Sequence, residues 1–231
     1  MSRPPILNPQ AVPVTGVDTH LPAVPAAALS PAALRQRFAA PPAWQPEIAG
    51  DGGRFAQREP ASAAVLVPLV MHESGLRLLL TRRTAHLRSH AGQISFPGGR
   101  VEPEDGGVVA TALRETAEEI GLAREQIEVI GQLPVYTTVT AFEVTPVVAL
   151  VQPGFTLTLD AGEVDEAFEV PLDFLMNPAH HQRHTFHWEA GERQFLSMPW
   201  QQRDAAGVLR EYFIWGATAA MLRNLYRFLS A

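Results

Sequence analysis

The stretch "GGRVEPEDGGVVATALRETAEEIGL", Gly98 to Leu122, decides how this chain is read. It joins a glycine pair, an acid-rich loop and a segment of helical apolar spacing from about Gly107 to Ile120, with Gly121 placed to end the helix. At about 100° per residue, Ala110, Leu113, Ala117 and Ile120 fall in a sector roughly 80° wide, a core-facing stripe that leaves Glu115, Glu118 and Glu119 on the opposite side. Asp105, just ahead of Gly106 and Gly107, reads as the N-cap.

A solvated acidic face is the plain explanation of such a helix, but the spacing argues against it. Glu115 and Glu119 stand at i,i+4, a like-charge pairing that costs about 0.2–0.5 kcal/mol, and neither has a lysine or arginine one turn away. Only Glu118 has a partner at helical spacing, Arg114, in the weaker order. All three acids also lie in the second half of the helix, where the macrodipole disfavours negative charge. A divalent cation supplies the missing stabilisation, because carboxylates on successive turns can hold Mg2+ or Mn2+, which also bridges phosphate oxygens. Gly98 and Gly99 lack Cβ atoms, so their carbonyls can approach a metal and their amides a phosphate.

The rest of the chain sets the frame. Its 231 residues, 46% hydrophobic and 18% charged, suffice for one substantial core. A net charge of -6 gives no footprint for bulk nucleic acid, although a local basic patch could take a small phosphorylated ligand. The absence of cysteine excludes disulfides, thiolate metal sites and cysteine nucleophiles, and fits a reducing compartment. Prolines break the N-terminal region and no apolar run reaches membrane-spanning length, so a soluble, cytoplasmic protein without a membrane partner is expected.

Residues 1–60 are rich in Pro and Ala and read as an arm with one short helix in "LSPAALRQRFAA", where Ser30 caps and Pro31 opens it. The catalytic-size domain is expected over residues 61–231. It begins with strands "ASAAVLVPLVM" and "LRLLLTRR" around "HESG", followed by "QISF" and the central helix. Further strands are expected at "IEVIGQL", "EVTPVVALV", "FTLTL", "EAFEVPLDFL", "RHTFHW", "RQFLSM" and "LREYFIW", before a closing helix, "TAAMLRNLYRFLS". Strands on both sides of a central helix imply an α/β fold with a mixed sheet covered by helices on both faces.

With these residues in view, the chain resembles the Nudix hydrolases. Gly99 opens their box and "RETAEEIGL", Arg114 to Leu122, closes it. Asp105 stands where the family usually has glutamate, the spacing to Arg114 is one residue longer than the general pattern, and Thr116 fills a position that is usually aliphatic. The longer loop and the preceding "LLTRRTAHLRSHAGQISFPGG", Leu79 to Gly99, are similar to the coenzyme A pyrophosphatase branch, with Arg83, Arg88, Gly92 and Phe96 in the matching places. "TVTAFEVTPVVALV", "GEVDEAFEVPL" and "IWGATAAMLRNL" extend that similarity from about Ala61 onward.

The resemblance implies a Nudix-type α/β/α sandwich and metal-dependent hydrolysis of the pyrophosphate of coenzyme A or its derivatives, to 3',5'-ADP and 4'-phosphopantetheine or its acyl form. It implies Mg2+ or Mn2+ held by Glu115 and Glu119, with Glu118 as a further ligand or the base and the Gly98 carbonyl as a backbone ligand. Arg114 would orient these carboxylates by pairing. The base could instead come from the downstream "GEVDEAFEV", as Glu163, Asp165 or Glu166. Arg82, Arg83, Arg88, His90 and Arg100 surround the acidic box in sequence; Arg83 and Arg88, together with Arg100 and Gly99, are the expected substrate contacts, since guanidinium forks suit phosphates. A homodimer is compatible with the family. The alternatives are a Nudix enzyme acting on NADH or ADP-ribose, indifferent to the 3'-phosphate of CoA, and a catalytically silent nucleotide-binding regulator. His180, His181, His184 and His187 have two helix-like spacings but lie in a loop and strand, which favours structural roles over a zinc site. Trp188, Trp200 and Trp215 read as core or rim residues.

Overall fold

Strand β2 (Ala61–His72) is the longest apolar run before the glycine pair, and its alternation explains the layering. Ala64, Leu66 and Val70 point to one side, Ala63, Val67 and Leu69 to the other, and all six are buried. A strand apolar on both faces belongs in the middle of a sheet covered twice. The structure, a computed structural model, describes residues 6–51, 59–86, 91–189, 191–204 and 206–231.

The elements follow in order: β1 (Val14–Val17), α1 (Pro31–Ala39), β2, β3 (Gly75–Arg83), β4 (Ile94–Ser95), β5 (Gly98–Arg100) and α2 (Val108–Ile120). Then come β6 (Ile127–Gln132), β7 (Tyr136–Thr137), β8 (Phe142–Val151), β9 (Val164–Pro171), α3 (Leu172–Leu175), β10 (Gln182–Trp188), β11 (Gly191–Arg203), β12 (Leu209–Trp215) and α4 (Gly216–Ser230). One mixed sheet runs β4-β3-β2-β8-β6, with β5, β7 and β9 joined to β2, β8 and β3. Its parallel pair is β2 with β8, Leu66 opposite Val147. A second, antiparallel sheet runs β1-β10-β11-β12.

Helix α2 covers one face of the mixed sheet, setting Ala112 and Leu113 on Ala64, Leu66, Val147 and Ala149. The other face meets α1, α4 and the second sheet in the main core, where Leu34, Leu69, Leu78, Val148, Ile214, Leu222 and Leu225 pack together. The described N-terminal residues are built into this core. Val24, Leu29 and Leu34 are buried in it, β1 pairs with β10, and Phe38 lies 4.7 Å from Phe228 on α4. Asp18 and Glu47 add ion pairs to the fully buried Arg223 of α4, at 3.0 and 2.7 Å. Ser30 caps α1 as expected, accepting the Ala33 N–H, with Pro31 at the first helical position.

Several local expectations change. The buried face of α2 is rotated: Ala117 is exposed, whereas Ala112, Thr116 and Glu119 are buried with Leu113 and Ile120. The N-cap is Gly107, not Asp105. "FTLTL" alternates inward but forms no ladder; Thr158 and Asp160 donate to the Ile120 and Glu119 carbonyls, which the helix end leaves without internal partners. "EAFEVPLDFL" divides at Pro171, with β9 before it and the single turn α3 after it. Among the described residues, no helix is long and apolar enough to cross a membrane.

Leu34→Ala removes a side chain with no exposure and is expected to lower the unfolding free energy by about 2–5 kcal/mol. Urea denaturation measures it; an unchanged midpoint would place α1 outside the cooperative core.

Candidate active site

The glycine pair owes its identity to two close approaches. Gly98 has φ of +151°, and a Cβ there would lie 2.4 Å from the Ala64 carbonyl oxygen of β2. A Cβ on Gly99 would lie 2.4 Å from the carboxyl carbon of Glu115. β5 is thus a backbone ribbon held between β2 and the carboxylates of α2, and any side chain would force them apart.

Three glutamates of α2 occupy different environments. Glu119 is the most enclosed, its side chain 5% exposed, against 59% for Glu118. Its carboxylate accepts the Gly98 N–H at 3.2 Å and an Arg83 guanidinium N–H at 3.4 Å. Burial pushes its pKa up to about 7; the Gly98 amide and Arg83 pull it down, while Glu163 and Glu115 push it further up. Burial likewise raises Glu115, opposed by Arg114 and reinforced by Glu118 and Glu163. The four carboxylates therefore feel one another.

Arg114 holds the outer side of this group together. Its guanidinium donates to both carboxylate oxygens of Asp105, at 2.9 and 3.0 Å, to the Arg100 carbonyl at 3.2 Å, to Glu115 at 3.1 Å and to Glu118 at 2.9 Å. Asp105 also accepts from the Thr111 hydroxyl at 2.8 Å and the Glu102 N–H at 2.9 Å, and Arg114 is the first cause holding its carboxyl well below the usual range. Asp105 is thus the anchor of Arg114 rather than the cap of the helix. Thr116 bonds back to the Ala112 carbonyl at 2.6 Å, which is how a hydroxyl is accommodated in a buried helical position.

The structure divides the downstream candidates for a base. Glu163 lies on the turn before β9, with Arg83 3.6 Å away, so Arg83 stands between Glu163 and Glu119. Asp165 and Glu166 instead pair with Arg82, at 2.9 and 2.8 Å, and Glu166 accepts the Tyr212 hydroxyl at 2.8 Å. Of the expected substrate contacts, Arg83 joins the carboxylates, and Gly99 backs Glu115. Arg100 lends its carbonyl to Arg114 while its side chain is exposed. Arg88 and His90 lie outside the described residues.

Two of the four histidines, His181 and His184, are buried and hydrogen-bonded within the fold, whereas His187 is exposed. His181 bonds the Leu175 carbonyl at 2.7 Å and Arg223 at 3.0 Å, and burial lowers its pKa to about 4. His184 joins the Val12 carbonyl and Ser197, each at 2.8 Å. Trp200 packs edge-on against Phe174 and Trp215 against Phe195.

Among the described residues, no three His, Asp or Glu side chains converge as a ready metal cage; the carboxylates are directed to Arg114, Arg83 and Gly98. The donor set nonetheless suits a divalent cation. Glu119 and Glu115 are hard oxygen donors whose ionised forms are disfavoured by burial and by neighbouring carboxylates, a cost that a cation removes. Sequence reasoning missed Asp160 and Thr84, which fix the turn bearing Glu163; the Asp-x-Gly pattern at Asp160 to Gly162 is the local signal of such a turn.

The NUDIX domain model matches residues 60–190. A Shigella flexneri protein named "Uncharacterized Nudix hydrolase NudL" is 40% identical over 171 residues, 73% of this chain and 84% of that protein. A Citrobacter koseri protein of the same name is 41% identical over 164 residues, 71% and 80% of the two chains. Among solved structures, a Nudix hydrolase from M. smegmatis, RenU, is similar at 22% identity over 57% of this chain and 80% of that one, with a TM-score of 0.44.

Glu119 also predicts a pH effect of unusual sign. Its folded pKa, about 7, lies above the ordinary 4.5, so the folded chain keeps a proton that the unfolded chain has lost. Its penalty is absent below 4.5, grows as pH rises towards 7 and is complete above it. In chelator-containing buffer, Glu119→Gln is therefore expected to raise unfolding free energy at pH 8 by up to about 3 kcal/mol, and by far less at pH 5. Denaturant titrations at the two pH values check this; equal effects at both would contradict a raised pKa.

Proposed function

Because the chain belongs to the Nudix hydrolase family, whose members cleave pyrophosphate bonds, we propose that it is a coenzyme A pyrophosphatase. It hydrolyses CoA or an acyl derivative to 3',5'-ADP and the corresponding 4'-phosphopantetheine. The observation that carries this reading is the position of Arg83. It belongs to the "LLTRR" motif that precedes the box, and it lies between Glu119 of the box helix and Glu163. The two parts of the sequence similar to the CoA branch thus meet at one point.

Nudix hydrolases generally use divalent metal ions. Glu115 and Glu119, with Glu118 and the Gly98 carbonyl, would hold Mg2+ or Mn2+, and the cation would neutralise phosphate charge during attack. The protein's own groups do the rest. Arg114 orients Glu115 and Glu118. Glu163, a half-exposed carboxylate beside the buried Glu119, accepts the proton as water attacks phosphorus and a P–O bond of the pyrophosphate breaks. Arg83 faces the phosphates, and Arg88, Arg100 and the Gly99 backbone complete the contacts to an anionic ligand. A silent regulatory role fits less well, since Glu115, Glu118 and Glu119 are all retained.

Mass spectrometry of products from CoA, dephospho-CoA, NADH and ADP-ribose with Mg2+ or Mn2+, and with EDTA, tests the proposal. Metal-dependent 3',5'-ADP and phosphopantetheine, formed fastest from CoA, are expected. Brisk NADH or ADP-ribose hydrolysis without CoA cleavage would overturn the substrate, and inactivity on all four would overturn the enzyme. Glu115→Gln is expected to lower kcat by about 100-fold or more, in line with the loss of a positioned charge in a catalytic site.

A further inference from the structure

The turn that carries Glu163 is secured from two sides, and neither attachment involves Glu163's own side chain. On one side, the Asp160 N–H donates to the Glu119 carbonyl at 2.9 Å, and the Asp160 carbonyl accepts from the Glu163 N–H at 2.9 Å and the Val164 N–H at 2.8 Å. On the other side, the Thr84 N–H, next to Arg83, donates to the Glu163 carbonyl at 2.9 Å, and the Thr84 hydroxyl to the Gly162 carbonyl at 3.3 Å. Two backbone hydrogen bonds thus connect the backbone of Glu119 to that of Glu163. Within the turn, the Asp160 carboxylate accepts the Gly162 N–H at 2.8 Å, closing an Asx-type loop that sets the direction in which Glu163 leaves it.

We propose that Asp160 is a positioning residue for Glu163: its side chain locks the 160–163 turn against the end of α2, which fixes Glu163 relative to Glu119 and Arg83. Thr84 performs the matching task from the position just after β3. Glu163 is half exposed and its contact to Arg83 is long, so its own side chain is weakly held. The backbone beneath it must supply the order. Asp160 touches neither Glu119's carboxylate nor Arg83; it acts through the main chain, and what matters is an acceptor atom at Oδ1 rather than a negative charge. The inference rests on the proposed role of Glu163.

The test compares Asp160→Ala, Asp160→Asn, Glu163→Gln and the double variant D160A/E163Q. The assay uses Mg2+ and whichever of CoA, NADH and ADP-ribose the parent protein turns over fastest. Asp160→Ala is expected to lower kcat about tenfold with KM nearly unchanged, since a small misplacement of a reacting group has an effect of this order or greater. Asp160→Asn keeps the Oδ1 acceptor and is expected to restore kcat. In the Glu163→Gln background, Asp160→Ala should add nothing, because both changes remove the same contribution. Amide hydrogen exchange, which needs neither metal nor substrate, should show faster exchange at Gly162, Glu163 and Val164 in Asp160→Ala and parent-like exchange in Asp160→Asn. Unchanged kcat in Asp160→Ala with a slow Glu163→Gln overturns the positioning role alone. Unchanged turnover in Glu163→Gln overturns the base assignment and the inference built on it. An Asp160→Asn as slow as Asp160→Ala, or fully additive losses in the double variant, would show that Asp160 acts by its charge and not through Glu163.

Discussion

The approach of the β5 backbone to the carboxylates of α2 is the constraint on which the site depends. A helix that presents Glu115 and Glu119 to a strand can dock only if that strand has no side chains in the way. Gly98 and Gly99 meet this condition, one against β2 and the other against Glu115. The Gly98 amide then gives Glu119 a donor in a position otherwise short of them. The same contact fixes the height of α2 on the sheet, so that Ala112 and Leu113 reach Ala64 and Leu66 while the glutamates remain beside β5. Packing and chemistry share this one interface.

Charge is distributed unevenly around it. Arg114 is saturated by Asp105, Glu115, Glu118 and a carbonyl, and therefore behaves as part of the scaffold. Arg83 makes two longer contacts, to Glu119 and Glu163, and has more freedom to exchange them for an anionic ligand. That difference supports the proposed division of labour, in which Arg114 serves the loop and Arg83 faces the phosphates. Glu119 bears the consequence: burial and two neighbouring carboxylates outweigh a guanidinium and an amide, leaving its charge only partly compensated.

Much of this was legible in the sequence, because glycine pairs, apolar periodicity and unpaired like charges each have a direct physical meaning. The boundaries of α2, its Gly121 end and the Ser30 cap of α1 follow from local chemistry and stand in the structure. The rotated face of α2 did not follow. Thr116 and Glu119 are polar, and only tertiary partners, the Ala112 carbonyl and the Gly98 amide, make them buried residues. Asp105 misled for a related reason: an aspartate before a helix is an N-cap by local rule, and a more distant arginine claimed it. "FTLTL" has strand periodicity, yet its donors go to free carbonyls at a helix end, a pairing that no periodicity encodes. The composition of residues 1–60 likewise suggested an arm, while Leu34 is buried in a core cluster shared with residues of β2, β8 and α4.

That last arrangement bears on how the protein is made. Phe38 packs on Phe228 of α4 and Leu34 lies in the same core cluster as Leu222 and Leu225, so the main core joins segments far apart in the sequence. On a ribosome, α1 can meet β6, where Glu128 pairs with Arg35, but its aromatic partner Phe228 leaves the exit tunnel only much later. Closing so long a loop is slow relative to local structure, and apolar surface stays uncovered during the delay. The mixed sheet and α2 can assemble in the meantime, since β2, β5, α2 and β8 lie close together in sequence, but the nascent protein carries its glutamate helix into place well before the other face of its sheet is sealed.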